Sequence, residues 1–250
     1  MAEEFVIVKD LVKSFKDFKA VDGVSFSIGK GEIFGLLGPN GAGKTTTIRM
    51  MSTVLPADSG DIIIGGHAIK TDAAAVRSII GVCPQDLALY EDLSAIDNMV
   101  FFGRMAGMTG EDAKKQAMEN LKLIGLEERA KGKVAKFSGG MKRRINLAIG
   151  LMGHPQLLFL DEPTVGIDPQ SRNNIFENIQ ALRRKGMTIL YTTHYMEEAD
   201  RLCDRIAIMD AGKIIAMDTN RNLKAQLGDP EKVTLEDVFL KLTGRSLRDA

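Results

Sequence analysis

The chain has 250 residues, 44% of them hydrophobic and 26% charged, which is the composition of a globular protein with ample core and excludes a disordered or fibrous chain. Its 33 basic residues balance 33 acidic ones, so no net positive field draws it onto nucleic acid, and no nucleic-acid partner is expected. The two cysteines, Cys83 and Cys203, have neither metal-ligand spacing nor a disulfide framework and suit a reducing compartment.

In chain order, the acidic start "MAEEFVIVKD" lacks the basic segment of a signal peptide, and "EFVIVKD" and "VSFSI" alternate as strands do. "EIFGLLG" is more continuously apolar and runs into a glycine-rich loop, after which residues 44–54 read as a helix stopped by Pro56. "SGDIIIGGHAI" reads as a hairpin or edge strand, and "SIIGV" as a further strand; the first ninety residues are therefore expected to be β-rich with one helix. From Leu93 the pattern turns helical. Ser94 with Asp97 has capping-box spacing, with Ile96, Val100 and Gly103 on one face; Thr109 with Asp112 opens a second helix through Leu121 and Ile124; Ser138 opens a third, through Ile145, Leu147, Ala148 and Leu151. "QLLFLDEP" is a short, wholly apolar run, as in a strand buried on both faces. Asp168 and Pro169 form an N-cap and first helical position, and Gly186 closes that helix. "TILYTTH" is a second buried strand, "IAIMDAGKIIAMD" a hairpin, and Thr234 with Asp237 caps the amphipathic "LEDVFLKL".

No apolar stretch approaches the ~20 residues of a membrane span, so a role at a membrane needs another chain to cross it. Strands precede and follow the helical block. The expected fold is α/β, a core of residues 1–88 and 155–225 with a mostly parallel sheet and an N-terminal antiparallel β lobe, a helical subdomain inserted at 89–154, and a helical tail at 226–250.

Gly38-Pro39-Asn40-Gly41-Ala42-Gly43-Lys44-Thr45 fits G-x-x-x-x-G-K-[ST], between a strand and a helix. Glycines let consecutive N–H groups turn inward around phosphate oxygens, and the following helix points its positive end at the same anion. Lys44 then reaches the β- and γ-phosphates, and the Thr45 hydroxyl ligates Mg²⁺. "LLFLDE" ends an apolar strand in two acids at the edge where ligands bind in such sheets. Asp161 suits the metal shell and Glu162 a general base; without the glycine loop, the pair would read as a polar strand end. His194 ends a strand where it can meet a terminal phosphate, and it equally suits a cap for the helix "YMEEADRL". Ser138-Gly139-Gly140 opens a helix, a second place that favours an anion, although a tight turn before a helix has the same composition. The first loop lies in the core and the second at the end of the helical block. If both grip one nucleotide, two chains arranged head to tail would each complete the other's site. Lys142, Arg143 and Arg144 read as a solvated basic face, one of which could approach a phosphate.

Over nearly its whole length the chain resembles the ATP-binding subunit of an ABC transporter. Gly38 to Thr45 matches the Walker A motif, Gln85 the Q-loop, "FSGGMKRR" the family signature, "LLFLDE" Walker B, "VGID" the D-loop and His194 the H-loop, while Phe15 sits where the family has an aromatic that stacks on adenine. The resemblance implies two ATP molecules, with Mg²⁺, held between head-to-tail subunits. It implies that Lys44, Thr45 and Thr46 contact phosphate and metal, that Gln85 couples the metal site to a membrane partner, and that Ser138 and Gly140 bind the opposite subunit's γ-phosphate, with Gly139 between them. It further implies that Asp161 orders the metal, Glu162 is the base, Asp168 joins the two sites and His194 holds the γ-phosphate. Phe137 and Met141 depart from the leucine and glutamine of the usual signature. The glutamine's contact is lost, and a basic residue at 142–144 is a candidate to replace it.

"SGGMKRR", "EPTVGIDP" and "TLEDVFLKLTG" resemble two-component exporters, in which a separate ATPase on the cytoplasmic face of the cell membrane, a homodimer or paired ATPase when ATP-bound, drives a short integral-membrane permease. The absence of a long regulatory domain after the core points away from sugar importers. The competing reading is a soluble ABC ATPase working on nucleic acid, ribosomes or cofactor assembly; chromosome-maintenance members need a long coiled coil between the Walker motifs, and translation factors carry two cassettes. For permease contact the segment "QDLALYEDLSAIDNMVFF" offers Leu87, Leu89 and Tyr90 before the Ser94 cap, and Met99, Phe101, Phe102 and then Met105 after it. Tyr90 is expected exposed, the phenylalanines inside the subdomain.

Overall fold

The computed structural model describes residues 3–244; residues 245–250 of the expected tail lie outside the described residues. Strands β1 (Glu4–Phe15) and β2 (Phe18–Gly29) form an antiparallel hairpin longer than the alternating patterns suggest. Its tip is Lys16-Asp17, with Lys16 at φ 53°, a left-handed turn made without glycine. Five consecutive buried residues make β3 (Ile33–Leu37), whose Ile33, Phe34, Leu36 and Leu37 are fully inaccessible. Burying each stabilises by roughly 1.5–3 kcal/mol. Helix α1 (Lys44–Met51) follows, shorter than the expected 44–54 because the chain turns at Ser52.

β4 (Ser59–Ile64) and β5 (His67–Ala68) form the anticipated hairpin around Gly65-Gly66, both at positive φ. A second helix, α2 (Ile69–Ile79), then corrects the one-helix reading of this region; it is kinked at Asp72 and buries only Val76. β6 (Ile80–Cys83) is followed by α3 (Ala95–Met105), α4 (Gly110–Leu123), two 3-10 turns (Glu127–Arg129 and Val134–Lys136) and α5 (Gly139–Gly150). Then come β7 (Leu157–Asp161), α6 (Pro169–Arg184), β8 (Thr188–Thr193), α7 (Met196–Leu202), β9 (Arg205–Asp210), β10 (Lys213–Thr219), a short unanticipated α8 (Asn220–Ala225) and α9 (Leu235–Thr243).

The caps read from the sequence are present: Ser94, Thr109, Ser138, Asp168 and Thr234 each accept from the N–H three residues on, and Thr234 with Asp237 is a full capping box. The buried face of α3 differs from the expected one. Ala95, Asn98, Met99 and Gly103 are inside, while Ile96 and Val100 are only partly covered.

The chain divides into two compact units, residues 1–77 with 188–250, and residues 78–187. In the first, β2-β1-β4-β5 form an antiparallel sheet, and β3 pairs in parallel with β8 on one side and β9 on the other, with β10 antiparallel beyond β9. Phe26 of one sheet stacks on Phe34 of the other, ring centroids 5.1 Å apart and nearly coplanar. In the second unit β6 and β7 pair in parallel, and α3, α4 and α5 enclose an apolar cluster that includes Met99, Ala117, Leu121, Phe137 and Ile145.

Candidate functional site

In the first unit β3 delivers the glycine loop. Gly38 is required by close approach, since a Cβ there would stand 2.2 Å from the Met209 carbonyl oxygen. Gly43 is required twice over, by φ 104° and by the Ala20 carbonyl oxygen, 2.3 Å from where its Cβ would be. Asn40 and Gly41 are exposed and Ala42 buried. The Gly212 N–H, in the β9–β10 turn, donates to the Ala42 carbonyl at 3.1 Å and braces the loop from outside. Lys44 is 4% exposed, and its Nζ donates to the Gly38 and Pro39 carbonyls at 2.7 and 2.9 Å, so its ammonium lies inside the curl of the loop. Gly43 caps α1 with no side chain, no acid occupies the first turn, and Thr45 and Thr46 are half-buried there. That leaves the helix's positive end for an anion.

The Gly38 N–H meets the Thr193 carbonyl at 3.4 Å, which sets the end of β8, and His194 after it, beside the loop. His194 does not cap α7: the N-cap position is Tyr195, without a side-chain bond, and the two rings lie with centroids 4.0 Å apart. The turn is held by Glu198, buried at 1% exposure, whose Oε2 accepts from the Tyr191 and Thr193 hydroxyls at 2.8 and 2.9 Å. Sequence reasoning missed Glu198, because an acid in the first turn of a helix ordinarily complements the dipole and its partners lie on the preceding strand. Phe15 is 48% exposed, and across the hairpin its register partner Phe18 is 60% exposed, a second aromatic that the sequence reading passed over.

In the second unit all five residues of β7 are buried, and the strand ends in Asp161 and Glu162, 4% and 5% exposed. Glu162 has φ 46°, a left-handed conformation that costs a non-glycine residue about 1 kcal/mol or more. Ser138 caps α5 by accepting from the Met141 N–H at 3.3 Å, again with no acid in the first turn. A Cβ on Gly139 would meet nothing within 4 Å, whereas one on Gly140 would stand 2.0 Å from the Ser171 hydroxyl. Asp168 caps α6; the hydrogen bonds from Ser171, side chain first and then N–H, hold its carboxyl below the usual range. Gln85 is exposed, in the segment after β6. Burial pushes the Cys83 thiol, two residues earlier, up to about 12.

The departures in the signature are packing features. Phe137 lies in the apolar cluster and Met141 packs against it. Within the single chain the basic residues that follow are engaged: Lys142 pairs with Glu91, Arg143 donates to the Gln85 and Val165 carbonyls, and Arg144 donates to the Ile124 carbonyl at 2.8 Å.

A glycine loop at the end of a central parallel strand, feeding an uncapped helix, defines a phosphate-binding α/β protein. The family described as "ABC transporter" matches residues 21–165, and the chain belongs to that family. It is 50% identical over 242 residues to the linearmycin resistance ATP-binding protein LnrL of Bacillus subtilis, covering 97% of this chain and 76% of that protein. It is 40% identical over 254 residues to the Nod factor export ATP-binding protein I of Paraburkholderia xenovorans, covering 98% and 84%. Among solved structures, an ATP-binding subunit of an ABC transporter superposes with TM-score 0.83 at 29% identity, over 96% of this chain and 99% of the other. A dimeric ATP-binding cassette bound to ADP and Pi gives TM-score 0.77 at 26% identity, over 86% and 98%.

Proposed function

We propose that this chain is the ATP-hydrolysing subunit of an exporter, acting as a head-to-tail pair that closes around two ATP molecules and drives a separate integral-membrane permease. The observation that carries the reading is the Gly38–Thr45 loop, whose Gly38 and Gly43 are demanded by close contacts and whose lysine is held within the curl. The resistance and export proteins among its relatives support the direction of transport. Among the described residues no helix is long and apolar enough to cross a membrane, which suits a partner that does the crossing.

In this reading the Gly38–Gly43 N–H groups and Lys44 grip the phosphates, Phe15 stacks on adenine, and His194 holds the γ-phosphate. Thr45, Gln85 and Asp161 supply hydroxyl, amide and carboxylate oxygens, the hard donors Mg²⁺ takes when phosphates and water complete its shell. When bound, Mg²⁺ would neutralise charge on the β- and γ-phosphates. Glu162 accepts a proton from the attacking water, and Ser138 with the Gly139 and Gly140 N–H groups faces the γ-phosphate of the opposite chain. Asp168 joins the two sites. Residues 89–154, the helical subdomain, present the permease-facing surface.

The test is steady-state hydrolysis of Mg-ATP by the purified chain. Lys44→Ala is expected to leave less than about a tenth of the wild-type kcat, a loss above 1.4 kcal/mol, and chelation of divalent metal to abolish turnover. Retention of most activity by Lys44→Ala would remove the loop from the chemistry.

A further inference from the structure

Residues 84–93, between β6 and α3, carry Gln85 and form neither helix nor strand. The main chain of their first part, Pro84 to Ala88, is held instead by side chains of α5. Asn146, 1% exposed, donates from Nδ2 to the Pro84 carbonyl at 3.1 Å and accepts at Oδ1 from the Ala88 N–H at 3.2 Å. Three residues earlier, on the same helix face, the Arg143 guanidinium donates from Nη1 to the Gln85 carbonyl. Its other arm, Nη2, lies 3.4 Å from the carbonyl of Val165, three residues before Asp168. The helix that carries both side chains begins at Ser138-Gly139-Gly140.

Arginine is suited to this position for a physical reason. Its planar fork presents donors in two directions and reaches acceptors on two segments at once, which a lysine ammonium on a single stem does not. Both acceptors are main-chain carbonyls, so the clasp is independent of the side chains at 85 and 165. Charge-assisted bonds to carbonyls are short and directional, so the clasp sets the position of Gln85 more tightly than packing of an exposed loop would.

We propose that Arg143 is a positioning residue that locks the Gln85 segment, and more weakly the Val165 segment, to the helix that opens at Ser138, so that a displacement of one carries the others. The proposal rests on the ATPase reading above, since these segments matter jointly only if ATP is turned over. Arg143 touches no nucleotide in this scheme. Its loss is expected in kcat and not in the grip on ATP, which the first unit makes through Lys44 and Phe15.

The experiment is a double-mutant cycle in Mg-ATP hydrolysis by the full chain, with Arg143→Met, Gln85→Ala and the pair. Arg143→Met is expected to lower kcat about tenfold while KM for Mg-ATP moves less than about twofold. Because Arg143 acts through the placement of Gln85, the pair is expected to lose no more than the worse single variant. Losses that multiply, to about a hundredfold in the pair, would overturn the proposal, as would a rise in KM with kcat unchanged. Arg143→Lys keeps the charge but spans one carbonyl, and intermediate activity is expected; full activity would overturn the two-armed contact. Thermal melting of each variant checks folding, and if Arg143→Met does not fold the cycle is run with Arg143→Lys. A wild-type chain that turns ATP over no faster than Lys44→Ala would instead defeat the functional reading itself, so the two failures are distinguishable.

Discussion

At the scale of single residues, the two signature glycines have different physical reasons to be there. Gly139 faces open space, so nothing in its own chain demands a glycine; what it keeps clear is the approach to the helix N-terminus. Gly140 lies against Ser171 of α6, with the serine Cβ 2.4 Å from where its own Cβ would be. Gly140→Ala is therefore an overpacking change and is expected to cost roughly 1–3 kcal/mol in denaturant unfolding. Ser171→Gly in the same chain should recover most of that loss, because it removes the two side-chain atoms that crowd the new methyl, and the next nearest atom, the Ser171 Cα, lies 3.7 Å away. Gly139→Ala should change stability little. Failure of Ser171→Gly to rescue would show that the conflict lies elsewhere. The strained φ of Glu162 is a comparable single-residue feature. A left-handed glutamate, buried at the end of a strand, is where strain collects when surroundings hold a functional carboxylate in place.

At the scale of elements, most caps were legible, although Thr219, which caps α8, was not. Ser94, Thr109 and Thr234 were each read from residues three apart and Asp168 from the proline that follows it, because an N-cap is a local bond that tertiary context does not have to supply. The wholly buried β7 and β8 were equally clear. What failed was local chemistry without a pattern. α2 fully buries only Val76 and is kinked at Asp72, so its apolar period is short and carried largely by alanines, and its "DAAAV" run speaks mostly through helix propensity. The β1–β2 tip uses Lys16 where a glycine or asparagine would have announced the turn. Among the candidate site residues, the loop glycines and the strand-end acids were legible as motifs. Glu198 and Arg143 were not, since each acts by reaching a partner that only the fold brings near.

The segment around α3 shows the same limit, and it sharpens a prediction. Leu89 packs against the apolar cluster and Met99 is fully buried, so neither is a docking residue. Tyr90 is 50% exposed, edge-on to Phe101 at 5.0 Å, and Phe101 itself is 39% exposed, contrary to its expected place inside the subdomain. Asn98 holds the Tyr90 main chain at both its N–H and its carbonyl, which presents the ring in a fixed position. A rigid aromatic pair of this kind suits a short helix of the permease. Tyr90→Ala is expected to leave ATP affinity of the isolated chain unchanged and to lower transport in vesicles reconstituted with the permease. Equal loss in both measurements would make Tyr90 a core residue, and unchanged transport would place the docking surface elsewhere.

At the scale of the whole molecule, four described helices, α1, α5, α6 and α8, have no acid in the first turn; α6 carries Asp168 at its N-cap and α8 is only six residues long, which leaves α1 behind the glycine loop and α5 behind Ser138. Each can face an anion, and the proposed pairing gives every ATP one of each, from two chains. In that proposal the assembly is held largely by the nucleotide, so it is expected to form when ATP binds and to come apart when the γ-phosphate leaves. Glu162→Gln removes the proton acceptor while keeping size and most of the hydrogen-bonding capacity, so it is expected to stop cleavage and hold the closed pair. Light scattering of this variant should give a monomer mass without nucleotide and twice that mass with Mg-ATP, whereas ADP should leave the monomer. Adding Lys44→Ala to the same chain weakens the grip on the phosphates and should keep it monomeric at matched ATP concentration. A Glu162→Gln chain that shows no increase in mass with ATP would sink the sandwich for the isolated subunit, and a Lys44→Ala chain that still pairs would show that the assembly does not depend on the nucleotide.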